Sequence, residues 1–266
     1  MIRDITIGQY YQSESVIHRL DPRTKIIATL IYIIGLFVLD SFWGLGFAAL
    51  VLAVVIGLSR VPVSFMLRGL KPIFLIILFT FVLNMFLQSG EVLVRFWIFT
   101  ITKEGLITAF FMAARLTLLI LGSSMMTLTT KPIELTDGIE SLLSPLRKIG
   151  VPAHELAMMM TIALRFIPTL LEETDKIMKA QQARGADFET GNILRRAKSM
   201  LPILIPLFIS AFRIAQDMAQ AMEARCYRGG DGRTRMNQMK FQRRDAAAAV
   251  FVALFIAAVV LEKIYL

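Results

Sequence analysis

Long apolar stretches separated by short polar segments dominate the first half of the chain. Between Ile26 and Leu58 the only charged residue is Asp40. One continuous helix over this stretch would span about 50 Å, well beyond the roughly 30 Å hydrocarbon core of a bilayer. The pattern therefore predicts two short helices joined by a turn, with a re-entrant pair as the alternative because each limb is shorter than the usual 20 residues. Four residues mark that turn: Asp40, Ser41, Gly44 and Gly46.

Three further apolar segments predict additional helices of the same kind. They are Pro72 to about Gln88, Gly105 to Thr129, and Ala246 to Leu261. With the first pair they give five crossings, so the predicted fold is an all-α polytopic membrane protein. The predicted domains are a cytoplasmic N-terminal segment (1–25), transmembrane helices 1–4 (26–130), a cytoplasmic domain of long helices (131–245) and a final transmembrane helix (246–266).

Composition agrees with a membrane environment. Hydrophobic residues make up 56 % of the 266 residues and charged residues 18 %, against about 25 % charged in ordinary soluble domains. The charged stretch before the first apolar run does not have the layout of a cleavable signal peptide, so we expect the N-terminus to stay attached. A single cysteine and two histidines favour neither a disulfide nor a structural metal site. No cofactor is expected.

The distribution of basic residues predicts the orientation of the spans. Residues 1–25 carry four Lys/Arg and residues 59–71 carry three, whereas the turn at Asp40 carries none. Residues 131–245 hold 18 of the 29 Lys/Arg. Because basic residues next to membrane spans stay in the cytoplasm, the chain is expected to lie in a bacterial cell membrane, with its N-terminus and residues 131–245 on the cytoplasmic side. Attraction to anionic lipid headgroups is an alternative role for individual cations. Nucleic-acid binding is not expected, because aromatic residues are not interleaved with the basic residues of this region.

Residues 131–245 are predicted to form three helices. Pro132 opens the first, which stops around Gly150. The second starts near Pro152 and runs to about Ala183, with Gly185 as its stop. The third is bounded by glycine-containing turns and carries two internal prolines: it starts after Gly191 and Asn192, is expected to kink at Pro202 and Pro206, and ends near Tyr227 before Gly229, Gly230 and Gly232.

The second and third helices end in the same pattern, A-x-x-A-R followed by a small residue. The candidate site residues are Ala183, Arg184 and Gly185 in one helix and Ala224, Arg225 and Cys226 in the other. Small alanines narrow the last turn, so that each tip can enter a groove on another protein, and arginine presents a planar fork suited to a carboxylate. Alternatively, each arginine caps its own helix and meets lipid phosphates. The repetition favours docking.

At these tips the sequence resembles the transmembrane coupling component of energy-coupling factor transporters, EcfT. That family carries two Ala-Arg-Gly signatures at the ends of long coupling helices, and Cys226 departs from the pattern at its last position. Further resemblance lies in Gly8-Gln9-Tyr10, Ser15, His18, Leu20, Asp21, Pro22, Arg23, Lys25 and Tyr227-Arg228-Gly229-Gly230. The likeness covers nearly the whole chain.

The resemblance implies a four-subunit uptake system for a vitamin or similar micronutrient. Two ABC-type ATPases would each receive one tip, and the helices would carry ATP-driven motion to a small substrate-capturing membrane subunit. The chain contains no G-x-x-x-x-G-K-[ST] phosphate loop, so ATP hydrolysis would belong to the partners. No nucleophile, base and orienting group occur together, and catalytic and metal sites are not predicted.

Other features leave alternatives open. Arg115 lies inside the fourth predicted span and should face protein or water, whereas His154 is interpreted as a solvated residue at a helix start. Nine of the 15 methionines lie between Met158 and Met239, which suits either an adaptable binding face or ordinary helix packing. Two competing functions stay open: a dedicated coupling protein of one cobalt, nickel or biotin system, and a polytopic membrane enzyme.

Overall fold

The computed structural model describes residues 10–96, 99–186, 188, 193–229 and 239–265. Within these residues the chain forms nine α helices and one two-stranded sheet. The elements are α1 (Pro22–Val38), α2 (Phe42–Ser59), α3 (Val63–Leu70), α4 (Phe74–Leu87), β1 (Val92–Phe96), β2 (Phe99–Thr102), α5 (Lys103–Thr129), α6 (Pro132–Leu143), α7 (Ala153–Ala183), α8 (Ile193–Ala224) and α9 (Arg243–Tyr265). Of the positions singled out above, Gly8, Gln9, Gly191, Asn192, Gly230 and Gly232 lie outside the described residues.

The chain divides into two compact units. One contains Gly8–Gly138 and Gln238–Leu266, and the other contains Ile139–Asn237. By length and composition, helices able to cross a membrane are α2, α5, α7, α9 and residues Ser199–Ala224 of α8. The chain is therefore an all-α polytopic membrane protein, with a short hairpin as its only described sheet.

Capping residues determine where the first two helices begin. Asp21 accepts a hydrogen bond from the backbone N–H of Arg23, and Pro22 occupies the first helical position of α1. Ser41 caps α2 by accepting from the N–H of Gly44 at 3.1 Å. The predicted turn is therefore confined to residues 39–41.

Gly44 and Gly46 lie inside α2, so their assignment to the turn is wrong. Gly44 is explained by a close approach, because a Cβ there would lie 2.0 Å from a carboxylate oxygen of Glu262. A Cβ on Gly46 would meet no atom within 4 Å.

The third predicted span is broken. α3 and α4 are bent by 61° at residues 71–73, and they pass as a membrane crossing only when taken together. Pro72, where the span was predicted to begin, lies in this break, and the 14 residues of α4 extend about 21 Å. This length is shorter than a hydrocarbon core of about 30 Å. The pair is therefore either a broken span or a re-entrant pair.

α5 forms the centre of the membrane bundle and packs against α1, α2, α3 and α4, while α9 packs on α1. The core is aliphatic and aromatic, with Leu36, Ala48 and Met66 at most 1 % exposed. Gly122 of α5 allows the ring of Tyr32 to approach, since a Cβ there would lie 2.5 Å from Cε1. Close contact between α1 and α5 therefore depends on a glycine.

Buried polar groups connect the N-terminal segment and the start of α1 to the end of α5 and the start of α9. The Nζ of Lys25 donates to the carbonyls of His18 (3.1 Å) and Thr129 (2.8 Å). The carboxylate of Asp245, at the start of α9, accepts the backbone N–H of Asp21 at 2.8 Å. α1 and α9 are thus tied together at this end.

Charged residues meet at the α1–α2 turn, where Arg115 finds its partners. Its guanidinium donates to the carbonyl of Leu39, lies 3.8 Å from Oδ1 of Asp40 and stacks over Phe111 at 4.7 Å. Lys263 pairs with Asp40 at 2.7 Å and lowers the pKa of that carboxyl. Arg115 therefore faces protein, as expected for a charge within a span.

The hairpin of β1 and β2 was not predicted. Its strands are antiparallel, with Arg95 opposite Thr100 and Phe96 opposite Phe99. It lies in the segment between the third and fourth predicted spans, which was treated only as a connection.

In the second unit, the end of α6 leads through a 3-10 turn, Ser144–Ile149, to Gly150, which has φ +92°. α7 and α8 then pack on each other and run continuously through their internal prolines, Pro168, Pro202 and Pro206. His154 is not simply solvated: its Nδ1 lies 3.1 Å from Glu140 Oε1 and its side chain is 31 % exposed. This contact links α6 to the start of α7.

Candidate functional site

The two predicted tips end in the same backbone hydrogen-bonding pattern. At the end of α7, the N–H of Gly185 donates to the carbonyl of Gln182 at 2.9 Å, and the N–H of Ala186 donates to Gln181 at 3.0 Å. These two bonds define a Schellman motif, with Gly185 in the left-handed region at φ +88°. Arg184 is the C-cap residue.

α8 repeats this motif residue for residue. The N–H of Cys226 donates to Glu223 at 2.9 Å, and the N–H of Tyr227 donates to Met222 at 3.0 Å. Cys226 takes the left-handed position with φ 56°, which costs a residue with a Cβ about 1 to 2 kcal/mol. Despite this cost, the helix ends in the same way with cysteine at this position as with glycine. Arg225 follows Ala224 as Arg184 follows Ala183.

Both tips are open to solvent in the described structure. Ala183, Arg184 and Gly185 are exposed, as are Ala224, Arg225 and Cys226. Within residues 153–186 and 193–229, neither guanidinium has an ion pair or a side-chain hydrogen bond. Since backbone N–H groups already satisfy carbonyls of each last turn, the arginines are not needed to cap their own helices.

Behind the tips, apolar side chains hold α7 and α8 together. A cleft of about 330 Å³ lies between them. Its lining includes Phe166, Leu170, Met218 and Met222. For these two methionines the structure supports the helix-packing interpretation, whereas Met159 and Met200 are more than half exposed.

α8 also presents an exposed apolar stripe that the sequence analysis did not single out. Its six side chains are between 44 % and 69 % exposed: Leu201, Leu204, Ile205, Phe208, Ile209 and Phe212. Their spacing of three and four residues places them on one face of a helix. That spacing is visible in the sequence and could have revealed the stripe.

These features define a class: a multi-pass helical membrane protein that carries two long helices with matching cationic ends. The sequence model of the CbiQ family, described as cobalt transport protein, matches residues 13–238. The chain is also similar to curated proteins called energy-coupling factor transporter transmembrane protein EcfT. It is 56 % identical to the one from Clostridium kluyveri, over 100 % of this chain and 99 % of that protein.

Other relatives with the same name give the same picture. The protein from Acidaminococcus fermentans is 58 % identical, with 96 % of both chains covered. The one from Bacillus subtilis is 45 % identical, with 98 % of both chains covered. The chain therefore belongs to the family of energy-coupling factor transporter transmembrane proteins. The predicted resemblance to this family is confirmed.

Proposed function

We propose that this chain couples ATP hydrolysis by two ABC-type ATPase subunits to a substrate-capturing subunit that takes up a vitamin or micronutrient. The observation that carries the proposal is the pair of matching capped tips, in which Arg184 and Arg225 are exposed and have no ion-pair partner among the described residues. Two equivalent tips suit two equivalent or homologous partners. The chain itself has no phosphate loop, so in this proposal it is not an enzyme.

Each tip would enter a groove on one ATPase. The Schellman motif fixes the backbone of the last turn, so the Cα–Cβ bond of each arginine has the same place at the end of its helix. The alanine before each arginine keeps the tip narrow. In a desolvated groove the guanidinium would donate to carboxylate or carbonyl oxygens, an interaction that costs about 2 to 5 kcal/mol when one partner is removed.

The exposed apolar stripe of α8 supports a second contact. Leu201, Phe208 and Phe212 are each more than half exposed, and a contiguous apolar face of this kind is typical of an interaction surface. We assign this face to the substrate-capturing subunit or to the lipid beside it. Motion of α8, driven at its tip, would then reach the substrate-capturing subunit through the same helix.

Substitution of the tips tests the docking proposal. Arg184→Ala or Arg225→Ala should weaken co-purification of the ATPases and reduce substrate uptake, and the double change should be worse than either. Arg→Lys should restore only part of the loss, because the ammonium lacks the planar fork. The matched control is Arg165→Ala with Arg213→Ala, since both residues are exposed on the same two helices away from the tips.

Normal assembly and uptake by the double tip variant would refute docking through the tips. Equal damage from the control pair would have the same meaning, because a general loss of positive charge would then explain both results.

The proposed orientation places 131–245 and the N-terminus in the cytoplasm of a bacterial cell, although α7 and α8 are long enough to cross a membrane. The reason is the 18 Lys/Arg in that segment. In a Cys226→Ser background, Ile149→Cys should be labelled by an impermeant thiol reagent only after permeabilisation, and Tyr265→Cys should be labelled in intact cells. Ile149 and Tyr265 are about 80 % exposed. Labelling of Ile149→Cys from outside would overturn the orientation.

One observation bears on the alternative of a dedicated cobalt, nickel or biotin system. The family description names cobalt transport, whereas the full-length relatives are named energy-coupling factor transporter transmembrane proteins. We therefore propose the general coupling role. Copurification of several different substrate-capturing subunits with the chain would support it over a dedicated system.

A further inference from the structure

A cleft of about 530 Å³ lies between α1 and α9 in the membrane bundle. Its walls are aliphatic, and the α9 wall consists largely of alanines, whose small side chains leave space beside α1. The apolar lining is Ile27, Ala28, Ile31, Ala246, Ala249, Val252, Ala253 and Ile256. Because both helices belong to the membrane bundle, the cleft faces an apolar surrounding along most of its length.

Three arginines border one end of the cleft without lining it. Arg23 lies over the ring of Phe241, which lines the cleft, with its guanidinium carbon 5.2 Å from the ring centroid. The Nε of Arg23 is buried without a hydrogen-bond partner, and Oδ1 of Asp21 lies 3.8 Å away. Arg243 and Arg244 follow the lining residue Gln242, are exposed, and make no ion pair within the described residues.

Two carboxylates at the same end are directed towards backbone groups. Asp245 accepts N–H groups of Asp21 (2.8 Å) and Gln242 (2.7 Å), and it is 4 % exposed. Asp21 accepts the N–H of Arg23 at 2.9 Å and is 6 % exposed. Both negative charges are therefore buried and hydrogen-bonded, whereas Arg243 and Arg244 remain available to an external anion.

The length of the apolar part decides between two kinds of occupant. From Ala246 to Ile256, α9 rises about 15 Å, which equals half of a hydrocarbon core of about 30 Å. A spanning helix of a partner would need an apolar groove through the whole core. An acyl chain from one leaflet needs half of it, with its charged headgroup at the interface.

We propose that this cleft binds an anionic phospholipid, with one acyl chain between α1 and α9 and its phosphate against Arg23, Arg243 and Arg244. The lipid fills the space that the alanines of α9 leave beside α1. The inference concerns the membrane bundle alone and does not depend on docking of the ATPases. In the proposed orientation the lipid belongs to the cytoplasmic leaflet, which carries the anionic lipids.

Quenching of tryptophan fluorescence by lipids brominated on their acyl chains tests the site. The full-length chain carries Trp43→Phe and Trp97→Phe, together with Ile256→Trp inside the cleft or Leu254→Trp as a matched control. Leu254 is on the same helix and 63 % exposed, but it does not line the cleft. Each protein is reconstituted in phosphatidylcholine vesicles with a small fraction of brominated phosphatidylglycerol or brominated phosphatidylcholine.

Brominated phosphatidylglycerol should quench Ile256→Trp at least about fivefold more effectively than brominated phosphatidylcholine, because each available cation at the membrane surface contributes a preference of about that size. Leu254→Trp should respond similarly to both lipids. Arg243→Gln with Arg244→Gln should reduce the preference, and adding Arg23→Gln should remove it. Ala253→Leu, which fills the cleft, should lower quenching of Ile256→Trp by both lipids.

Three results would overturn the proposal. The first is equal quenching of Ile256→Trp by the two lipids. The second is the same anionic preference at Leu254→Trp, which would indicate general attraction to the surface. The third is protection of Ile256→Trp from both lipids while Leu254→Trp is quenched, because protein would then occupy the cleft. The exposed pair Arg243→Gln and Arg244→Gln decides the charge requirement if Ala253→Leu fails to fold.

Discussion

Replacement of Arg115 by methionine should destabilise the membrane bundle measurably. The Arg115 side chain is 11 % exposed, and its guanidinium donates to the carbonyl of Leu39, a residue that is 2 % exposed. Methionine is apolar, flexible and able to fill irregular space. The substitution therefore removes the hydrogen bond and the charge while largely preserving the packing between α5 and the α1–α2 turn.

Three contacts set the expected loss of unfolding free energy. A buried carbonyl left without a donor costs about 1 to 3 kcal/mol. Stacking of Arg115 over Phe111, at 4.7 Å, contributes about 0.5 to 2 kcal/mol. Asp40 is 3.8 Å away and 70 % exposed, so solvent screening makes that pair the smallest of the three contributions. Relief of the desolvated charge offsets part of this sum, and we expect a net loss of about 2 kcal/mol.

The measurement is unfolding of the full-length chain by SDS in mild detergent micelles, followed by circular dichroism. Lys263→Met is the control, because it removes the other cation beside Asp40 from a position that is 62 % exposed. This change should cost less than Arg115→Met, because solvent screens a pair between two exposed side chains. The reasoning fails if Arg115→Met leaves stability within about 0.5 kcal/mol of the unchanged protein, or if Lys263→Met costs as much.

Two further predictions concern glycine positions. Gly122→Ala should lower the unfolding free energy by about 1 to 3 kcal/mol through overpacking against Tyr32. Gly46→Ala, with nothing within 4 Å of the new Cβ, should be neutral or slightly stabilising in thermal unfolding. Equal effects of the two changes would contradict the packing described for α1 and α5. Cys226→Gly should remove about 1 kcal/mol of backbone strain and increase amide-exchange protection in the last turn of α8. Gly185→Ala should introduce a similar strain and decrease protection at the end of α7. Unchanged protection in both variants would show that a Cβ at these positions causes no strain.

Much of the helix pattern could be predicted because local signals determine it. Gly185 ends α7 in the left-handed conformation that its lack of a Cβ permits. Asp21 followed by Pro22 is a strong start signal for α1, and reading it would have extended the first span back to Pro22. The last span was predicted at Ala246 to Leu261, and α9 occupies Arg243–Tyr265.

The errors and omissions arose where distant residues decide the outcome. Gly44 resembles a turn residue in sequence, but it serves a contact with Glu262, more than 200 positions away. The partners of Arg115 are likewise remote, since Leu39 lies 76 residues before it. Neither contact leaves a local periodicity. The hairpin between α4 and α5 is short, and its pairing depends on register between two strands rather than on composition.

At the candidate site, sequence alone was sufficient to find the two matching tips but not their backbone geometry. Cysteine rarely adopts φ > 0, so the equivalence of Cys226 and Gly185 required the observed hydrogen bonds to Met222 and Gln181. Docking of Arg184 and Arg225 to ATPases stays a prediction. Its support is now a common cap geometry in addition to a common sequence pattern.

The bond between Asp245 and the N–H of Asp21 has a consequence for biosynthesis. These residues are 224 positions apart, so α1 leaves the ribosome long before its partner at the start of α9. Until α9 is inserted, Asp21 has no carboxylate to accept its buried N–H, and α1 lacks one wall of its packing. A chain that terminates early therefore lacks the acceptor for this N–H, and the packing around α1 cannot be completed before α9 has been synthesised.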